Sequence, residues 1–182
     1  LDKKGISYCA VCDGSLAKDK VAVVVGGGDS AISNAAYLAN ICTRVYLVHR
    51  REEYRAKDEL VKSLKRFKNV EFVTGYTVIK VNGTEHVESV DIENVNDKTI
   101  KQLQCDYVFV YLGSTPSTKF IKDTSILDKS GYIKVDKNMQ TSIPGIYAIG
   151  DVTETPFKQI PIATGTATIA ALNIIDYLNT LK

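Results

Sequence analysis

KVAVVVGGGDSA, residues 20–31, runs five apolar residues straight into three glycines. An unbroken apolar run of strand length is the pattern of a strand buried on both faces, and the glycines mark a tight turn. A helix is predicted to follow. Over residues 30–41, Ala31, Ala35, Leu38 and Ala39 recur at helical spacing, and their small size suits close packing on a sheet. RVYLVHRR, residues 44–51, then reads as a second apolar strand ending in a basic cluster. Strand, helix and strand in this order form a βαβ opening, which predicts an α/β fold around a Rossmann-like parallel sheet.

Gly26, Gly28 and Ala31 fit G-x-G-x-x-A at the strand-to-helix turn. Glycines there let backbone N–H groups approach a pyrophosphate, and the helix N-terminus favours its charge. The context points to dinucleotide binding, with a purely structural glycine turn as the alternative. An NAD-preferring site places an acid about 20 residues on, at the end of the second strand, to hold the ribose hydroxyls. This chain has His49, Arg50 and Arg51 there. Two guanidiniums, with Arg55 one turn later on the next predicted helix, can make charge-assisted bonds to a 2′-phosphate that an acid would repel. These residues predict NADP; the other reading of HRR is a solvated basic cap.

Beyond the basic cluster, residues 53–67 alternate acids and bases around Leu60, Val61 and Leu64, the pattern of an amphipathic surface helix. From 70 to 112 the texture becomes β-rich (VEFVTG, YTVIKV, VESVDIENV), broken at Asn82-Gly83 and Asn96-Asp97, and a β-meander is expected. DYVFVYLG, 106–113, is apolar enough to return to the parallel sheet, with Pro116 marking its exit. A boundary there divides the chain into domains 1–114 and 115–182. In the second, YIKVD and IPGIYAIGDV are expected as short strands and residues 164–181 as a closing helix.

The chain has 182 residues, 45% hydrophobic and 24% charged, enough for a substantial core. Lys and Arg number 23 against 21 Asp and Glu, so no overall field points to nucleic acid or an anionic membrane as partner. LDKKGIS has no signal-peptide core, and no run approaches the roughly 18 apolar residues of a membrane span. A cytoplasmic location is expected. Cys9, Cys12, Cys42 and Cys105 are too few and scattered for a secreted disulfide framework. Cys42 and Cys105 sit in apolar contexts and read as buried hydrophobes.

CAVCDG, residues 9–14, is the one close cysteine pair. Zinc needs about four ligands, and neither a second C-x-x-C nor an H-x-H cluster exists, so no metal is expected. Two inert thiols remain an alternative, because spacing alone does not lower a thiol pKa. A dithiol coupled to a nicotinamide site needs a two-electron bridge, which flavin supplies. Asp13, next to Cys12, can handle the proton that each thiol gains or loses.

CAVCDG, GGGDSA, HRREEYR and IYAIGDV, in this order and at these intervals, resemble the low-molecular-weight thioredoxin reductase family over nearly the whole chain. The resemblance implies an NADPH-binding domain followed by the C-terminal part of a split FAD-binding domain. The implied activity is thioredoxin-disulfide reduction: electrons pass from NADPH through FAD to the Cys9/Cys12 disulfide and on to thioredoxin. Cys12 is the sulfur implied to face the flavin, Cys9 the one that attacks thioredoxin, and Asp13 the acid/base. Gly26, Gly28, Asp29, Ser30 and Ala31 belong to the implied nucleotide site, together with His49, Arg50, Arg51, Arg55 and Gly113. Gly150 and Asp151 of IYAIGDV are implied to hold FAD, and KQIPIATG matches the family's R-Q-x-x-x-A run at Gln159, Ile160 and Ala163. A homodimer is typical of the family. Two alternatives stand: an NADPH-binding fragment without turnover, and the flavoprotein subunit of an alkyl hydroperoxide reductase.

Lys158 replaces the family's usual Arg, Ser33 and Asn34 replace two acids, and Asp29 stands where Asn is frequent, with its carboxylate expected to point away from a phosphate. No G-x-G-x-x-G segment precedes residue 9, and the chain opens on Leu1. The expectation is a fragment lacking the N-terminal FAD-binding segment, with exposed apolar surface on residues 115–182.

Overall fold

Val21–Val25 is a strand almost wholly shielded from solvent, as its composition requires. The computed structural model describes residues 1, 2, 4–155 and 157–181, and tertiary contacts divide the chain into Leu1–Gly113 and Ser114–Lys182. The first unit contains, in chain order, β1 (Ile6–Ser7), α1 (Ala10–Asp13), β2 (Val21–Val25), α2 (Asp29–Ala39), β3 (Arg44–His49), α3 (Asp58–Leu64), β4 (Val70–Thr74), β5 (Tyr76–Asn82), β6 (Ser89–Asn94), β7 (Ile100–Gln104) and β8 (Tyr107–Val110).

Five strands form one parallel sheet in the order β1-β8-β2-β3-β4. Val23 pairs with Tyr46 on one side and Val108 on the other. On one face, Ala31, Ile32, Ala35 and Leu38 of α2 pack with Val24, Val45, Leu47 and Phe109. On the other, Val23, Val25, Val48 and Val108 pack with Val90 and Ile92 of β6. Burying side chains of this size contributes about 1.5–3 kcal/mol each, so the two faces of this sheet carry the core of the unit. The mixed α/β architecture with a parallel sheet agrees with the sequence reading.

Three boundaries differ from it. The helix expected over 53–67 covers only Asp58–Leu64. The N–H groups of Arg55 and Ala56 donate instead to the Gly27 carbonyl (2.8 and 3.1 Å), and Lys57 N–H donates to Asp29 Oδ1 (2.9 Å), so Arg55 lies in a loop and not on a helix. VEFVT is the β4 edge of the parallel sheet, not part of the meander. The antiparallel sheet is β5-β6-β7 alone.

In the second unit, YIKVD and IPGIYAIGDV form no regular strand among the described residues. Isolated bridges such as Leu127 to Ile133 and Gln140 to Tyr147 take their place. Ile126, Ile133 and Ala148 make a small core with Ile121, Leu127 and Val152. The closing helix, α4 (Ile160–Asn179), begins earlier than expected, with Pro161 in its first turn, where a missing N–H costs nothing. Ala170 is the buried residue of α4, while Ile169, Leu172, Ile175 and Leu178 are exposed, as are Phe120 and Phe157. The apolar surface expected on 115–182 is present. Among the described residues no helix is long and apolar enough to cross a membrane.

Candidate active site

Parallel strands deliver their carboxyl ends to one edge of a sheet, and ligands of open α/β sheets bind along that edge. Here β1 leads into Cys9, β2 into Gly26, β3 ends at His49, β4 at Thr74, and β8 leads into Tyr111. The cysteine pair and the glycine turn therefore share one edge.

Cys9 and Cys12 form a disulfide with Cα atoms 5.3 Å apart. Cys9 caps α1: its Sγ accepts the Cys12 N–H at 3.1 Å. The Ser7 hydroxyl, buried behind the pair, donates to Asp13 Oδ2 at 2.7 Å and accepts the Cys9 N–H at 3.1 Å. Ser7 thus fixes the Asp13 carboxylate relative to the backbone that carries Cys9. On the opposite side the Tyr111 hydroxyl accepts the Ala10 N–H at 2.8 Å, tying α1 to the end of β8. Burial pushes the Tyr111 phenol up and the Asp13 charge adds to this, against the Ala10 bond. Cys9, Cys12 and Asp13 were named from the sequence; Ser7 and Tyr111, which hold this segment in place, were not. A serine two residues before the first cysteine was the available signal for Ser7; Tyr111 joins from about a hundred residues away and has none. Cys12 is exposed, Cys9 half-buried, and the neighbouring Tyr8, Val11 and Leu16 are exposed apolar side chains.

Gly26 has φ +151°, and a Cβ there would lie 2.5 Å from the Tyr111 carbonyl oxygen and 2.9 Å from Ala31 Cβ. Only glycine lets the turn pass that close. A Cβ at Gly28, by contrast, would have nothing within 4 Å, so the N-terminal approach to α2 is open where a phosphate would enter. Ser30 is exposed in the first turn of α2, and Ala31 is buried. Gly113, with φ +92°, closes the unit in open space. The Asp29 carboxylate is taken up by the Lys57 N–H.

His49 is buried beneath this turn: its ring occupies the space a Gly27 Cβ would need. Desolvation lowers its pKa and the arginines 51, 55 and 50 add to this, against a bond to the Glu53 backbone. It stacks on Tyr54, centroids 5.2 Å apart, and Tyr54 is pushed up to about 12 by burial and the charge of Glu52. His49 is therefore a packing element under the turn, while Arg50, Arg51 and Arg55 are all exposed around it. The residues present suit a dinucleotide with an extra phosphate: an open helix start, a close-approach glycine and three exposed guanidiniums.

In the second unit, Gly150 (φ +68°) begins a 3₁₀ turn over Gly150–Val152, and a Cβ there would meet Ala163 Cβ at 3.3 Å. Asp151 is exposed, Gln159 occupies the cap position of α4, and Ile160 opens it, largely exposed. Gly150, Asp151, Gln159, Ile160 and Ala163 thus gather at one helix start, an arrangement that fits a flavin's polar tail and ring. Lys158 Nζ donates to the Asp151 carbonyl at 2.9 Å and lies 4.0 Å from the Tyr132 ring centroid, so the lysine replacing the family's arginine buttresses this turn.

A family model described as pyridine nucleotide-disulphide oxidoreductase matches residues 1–167. The thioredoxin reductase of Mycoplasma pneumoniae is 42% identical over 176 residues, covering 96% of this chain and 56% of that protein. That of Listeria innocua is 39% identical over 183 residues, covering 100% and 57%. Among solved structures, the crystal structure of thioredoxin reductase from Streptococcus pyogenes MGAS5005 superposes with a TM-score of 0.90 at 40% identity, covering 97% of this chain and 58% of that one. The chain spans little more than half the length of these relatives. With a strand–glycine–helix turn and a cysteine pair along one sheet edge, and a family model matched over most of its length, the chain belongs to the pyridine nucleotide-disulphide oxidoreductase family.

Proposed function

We propose that this chain is the NADPH-binding and dithiol-bearing part of a thioredoxin-disulfide reductase. The observation that carries the reading is the single sheet edge holding both the Cys9–Cys12 disulfide, with Asp13 fixed beside it, and the Gly26–Gly28 turn flanked by Arg50, Arg51 and Arg55. Backbone N–H groups at the turn receive the pyrophosphate, and the arginines receive the 2′-phosphate of NADPH. Gly150, Asp151, Gln159, Ile160 and Ala163 hold FAD, which when bound supplies the two-electron relay between nicotinamide and disulfide.

The chain's own residues then handle sulfur and protons. Two electrons and two protons convert the Cys9–Cys12 disulfide to a dithiol, and Asp13 takes or returns a proton as a thiol ionises. Once reduced, Cys9 Sγ keeps the Cys12 N–H as a donor, and a hydrogen bond to a thiolate favours the ionised form. Exposure alone favours Cys12 as the attacking group; this bond favours Cys9. Cys9 thiolate attacks one sulfur of the thioredoxin disulfide and releases the other as thiolate; Cys12 thiolate then attacks the mixed disulfide, re-forming Cys9–Cys12 and freeing dithiol thioredoxin.

The relatives reported above all bear the name thioredoxin reductase, which favours this reading over an alkyl hydroperoxide reductase flavoprotein. A homodimer is what the resemblance implies, and the free, buried thiols of Cys42 and Cys105 accord with the reducing, cytoplasmic location expected from the sequence. The nucleotide half is tested by calorimetric titration of the chain with NADP⁺ and NAD⁺. NADP⁺ is expected to bind at least about tenfold more tightly, the yield of one net charge-assisted contact; equal affinities refute the 2′-phosphate assignment.

A further inference from the structure

The loop after β3 reads Arg50-Arg51-Glu52-Glu53-Tyr54-Arg55, a mixture in which neighbouring charges ordinarily pair. Yet the salt bridges among the described residues join Lys20 to Asp106, Arg44 to Glu71 and Lys98 to Glu93, and none involves Arg50, Arg51 or Arg55. The structure accounts for one of the missing partners. Glu52 turns back over the end of β4, where the Thr74 hydroxyl donates to its Oε2 at 2.7 Å. Its Oε1 lies over Gly75, at φ +72°, so close that a Cβ on Gly75 would stand 2.8 Å from it. Thr74 is aligned with His49 across the β3–β4 register, so the strand that carries the arginine loop also fixes where Glu52 can land. A second nearby acid, Asp29, is likewise occupied, by the Lys57 N–H.

We propose that Thr74 and Gly75 form a seat that withholds the Glu52 carboxylate from Arg50, Arg51 and Arg55, and that this seat is a specificity determinant for the 2′-phosphate of NADP. The inference rests on the nucleotide reading above. An unseated Glu52 sits three residues from Arg55 and one from Arg51, within reach of a bidentate carboxylate–guanidinium pair that occupies the donors a phosphate needs. Its charge also repels a dianionic phosphate, whereas a carboxylate can accept a hydrogen bond from a ribose hydroxyl, so the loss falls on NADP⁺ and spares NAD⁺. Thr74 and Glu52 act through the arginines and touch no nucleotide; they are positioning residues.

The test is calorimetric titration of the whole chain with NADP⁺ and with NAD⁺ at low ionic strength, for wild type, Thr74→Val, Thr74→Ser, and Thr74→Val combined with Glu52→Gln. Valine keeps the β-branched shape and strand preference of threonine and removes only the hydroxyl. The NADP⁺/NAD⁺ preference is expected to fall about three- to tenfold in Thr74→Val, because one carboxylate then competes for the arginines. Serine should keep the preference, and Glu52→Gln should restore it in the valine background. A purely structural role for Thr74 would lower the melting temperature without moving the ratio. A wild-type preference left unchanged by Thr74→Val, or not restored by Glu52→Gln, overturns the seat alone. A wild type that binds both nucleotides equally overturns the nucleotide reading and the seat with it.

Discussion

Replacing Cys9 and Cys12 together with serine is expected to slow thiol–disulfide exchange by the chain at pH 8 by about 10³-fold or more, because the thiolate is the reacting species. Two cysteines remain in that variant, and both are poor nucleophiles in place. Burial, with added repulsion from Asp106 and Asp19, pushes Cys42 up to about 11; burial and Asp106 push Cys105 to about 12. At pH 8 roughly one molecule in a thousand carries a Cys42 thiolate and fewer still a Cys105 thiolate. Both side chains are also almost fully shielded, and the Cys42 thiol is engaged with the Ala17 carbonyl at 3.2 Å. The single variants separate the two reactive sulfurs. Cys12→Ser, which leaves Cys9 with its backbone donor, should react with a small aromatic disulfide at pH 7 about tenfold faster than Cys9→Ser, the effect of one hydrogen bond to a charged group. Release of the coloured thiolate reads both rates; a faster Cys9→Ser variant would assign attack to Cys12.

Replacing Arg50 and Arg51 together with alanine should weaken NADP⁺ binding by about 10²-fold while changing NAD⁺ binding less than about threefold, taking one net charge-assisted contact per arginine. Both side chains are exposed, so their removal leaves no buried hole and the fold should keep its melting temperature. The loss should shrink as salt is added, since exposed charges are screened within about 10 Å at 0.1 M ionic strength. Calorimetry at two ionic strengths checks magnitude and screening together. Equal losses for the two nucleotides would mean that these arginines do not meet the 2′-phosphate.

What was legible in the sequence was what local pattern decides. Val21–Val25 followed by Gly26–Gly28 announces a buried strand and a turn because five apolar residues and a close-approach glycine have few other uses. That Asp13 lies beside the cysteine pair is plain from its place next to Cys12; that Ser7 holds its carboxylate is not. What escaped was decided at a distance. Residues 53–57 carry helical charge spacing, but the backbone donors of Arg55, Ala56 and Lys57 are captured by the Gly27 carbonyl and the Asp29 carboxylate, about 28 residues away in sequence. VEFVT alternates like a half-buried meander strand, and only its pairing with β3 shows it to be a parallel edge. The Tyr111 tether to Ala10 and the Thr74 seat for Glu52 likewise exist only once β8 and β4 are in place. The short apolar runs after residue 130 lack the neighbours that would turn isolated bridges into strands.

The proposed role stands or falls on the dithiol reducing thioredoxin. The chain, reduced and freed of excess reductant, is mixed with oxidised thioredoxin, quenched with an alkylating agent and weighed. With thioredoxin's potential at about −270 mV, the account predicts two alkyl groups on thioredoxin for each Cys9–Cys12 disulfide re-formed. Thioredoxin left oxidised by a chain whose Cys9 and Cys12 still exchange with small disulfides would contradict the account.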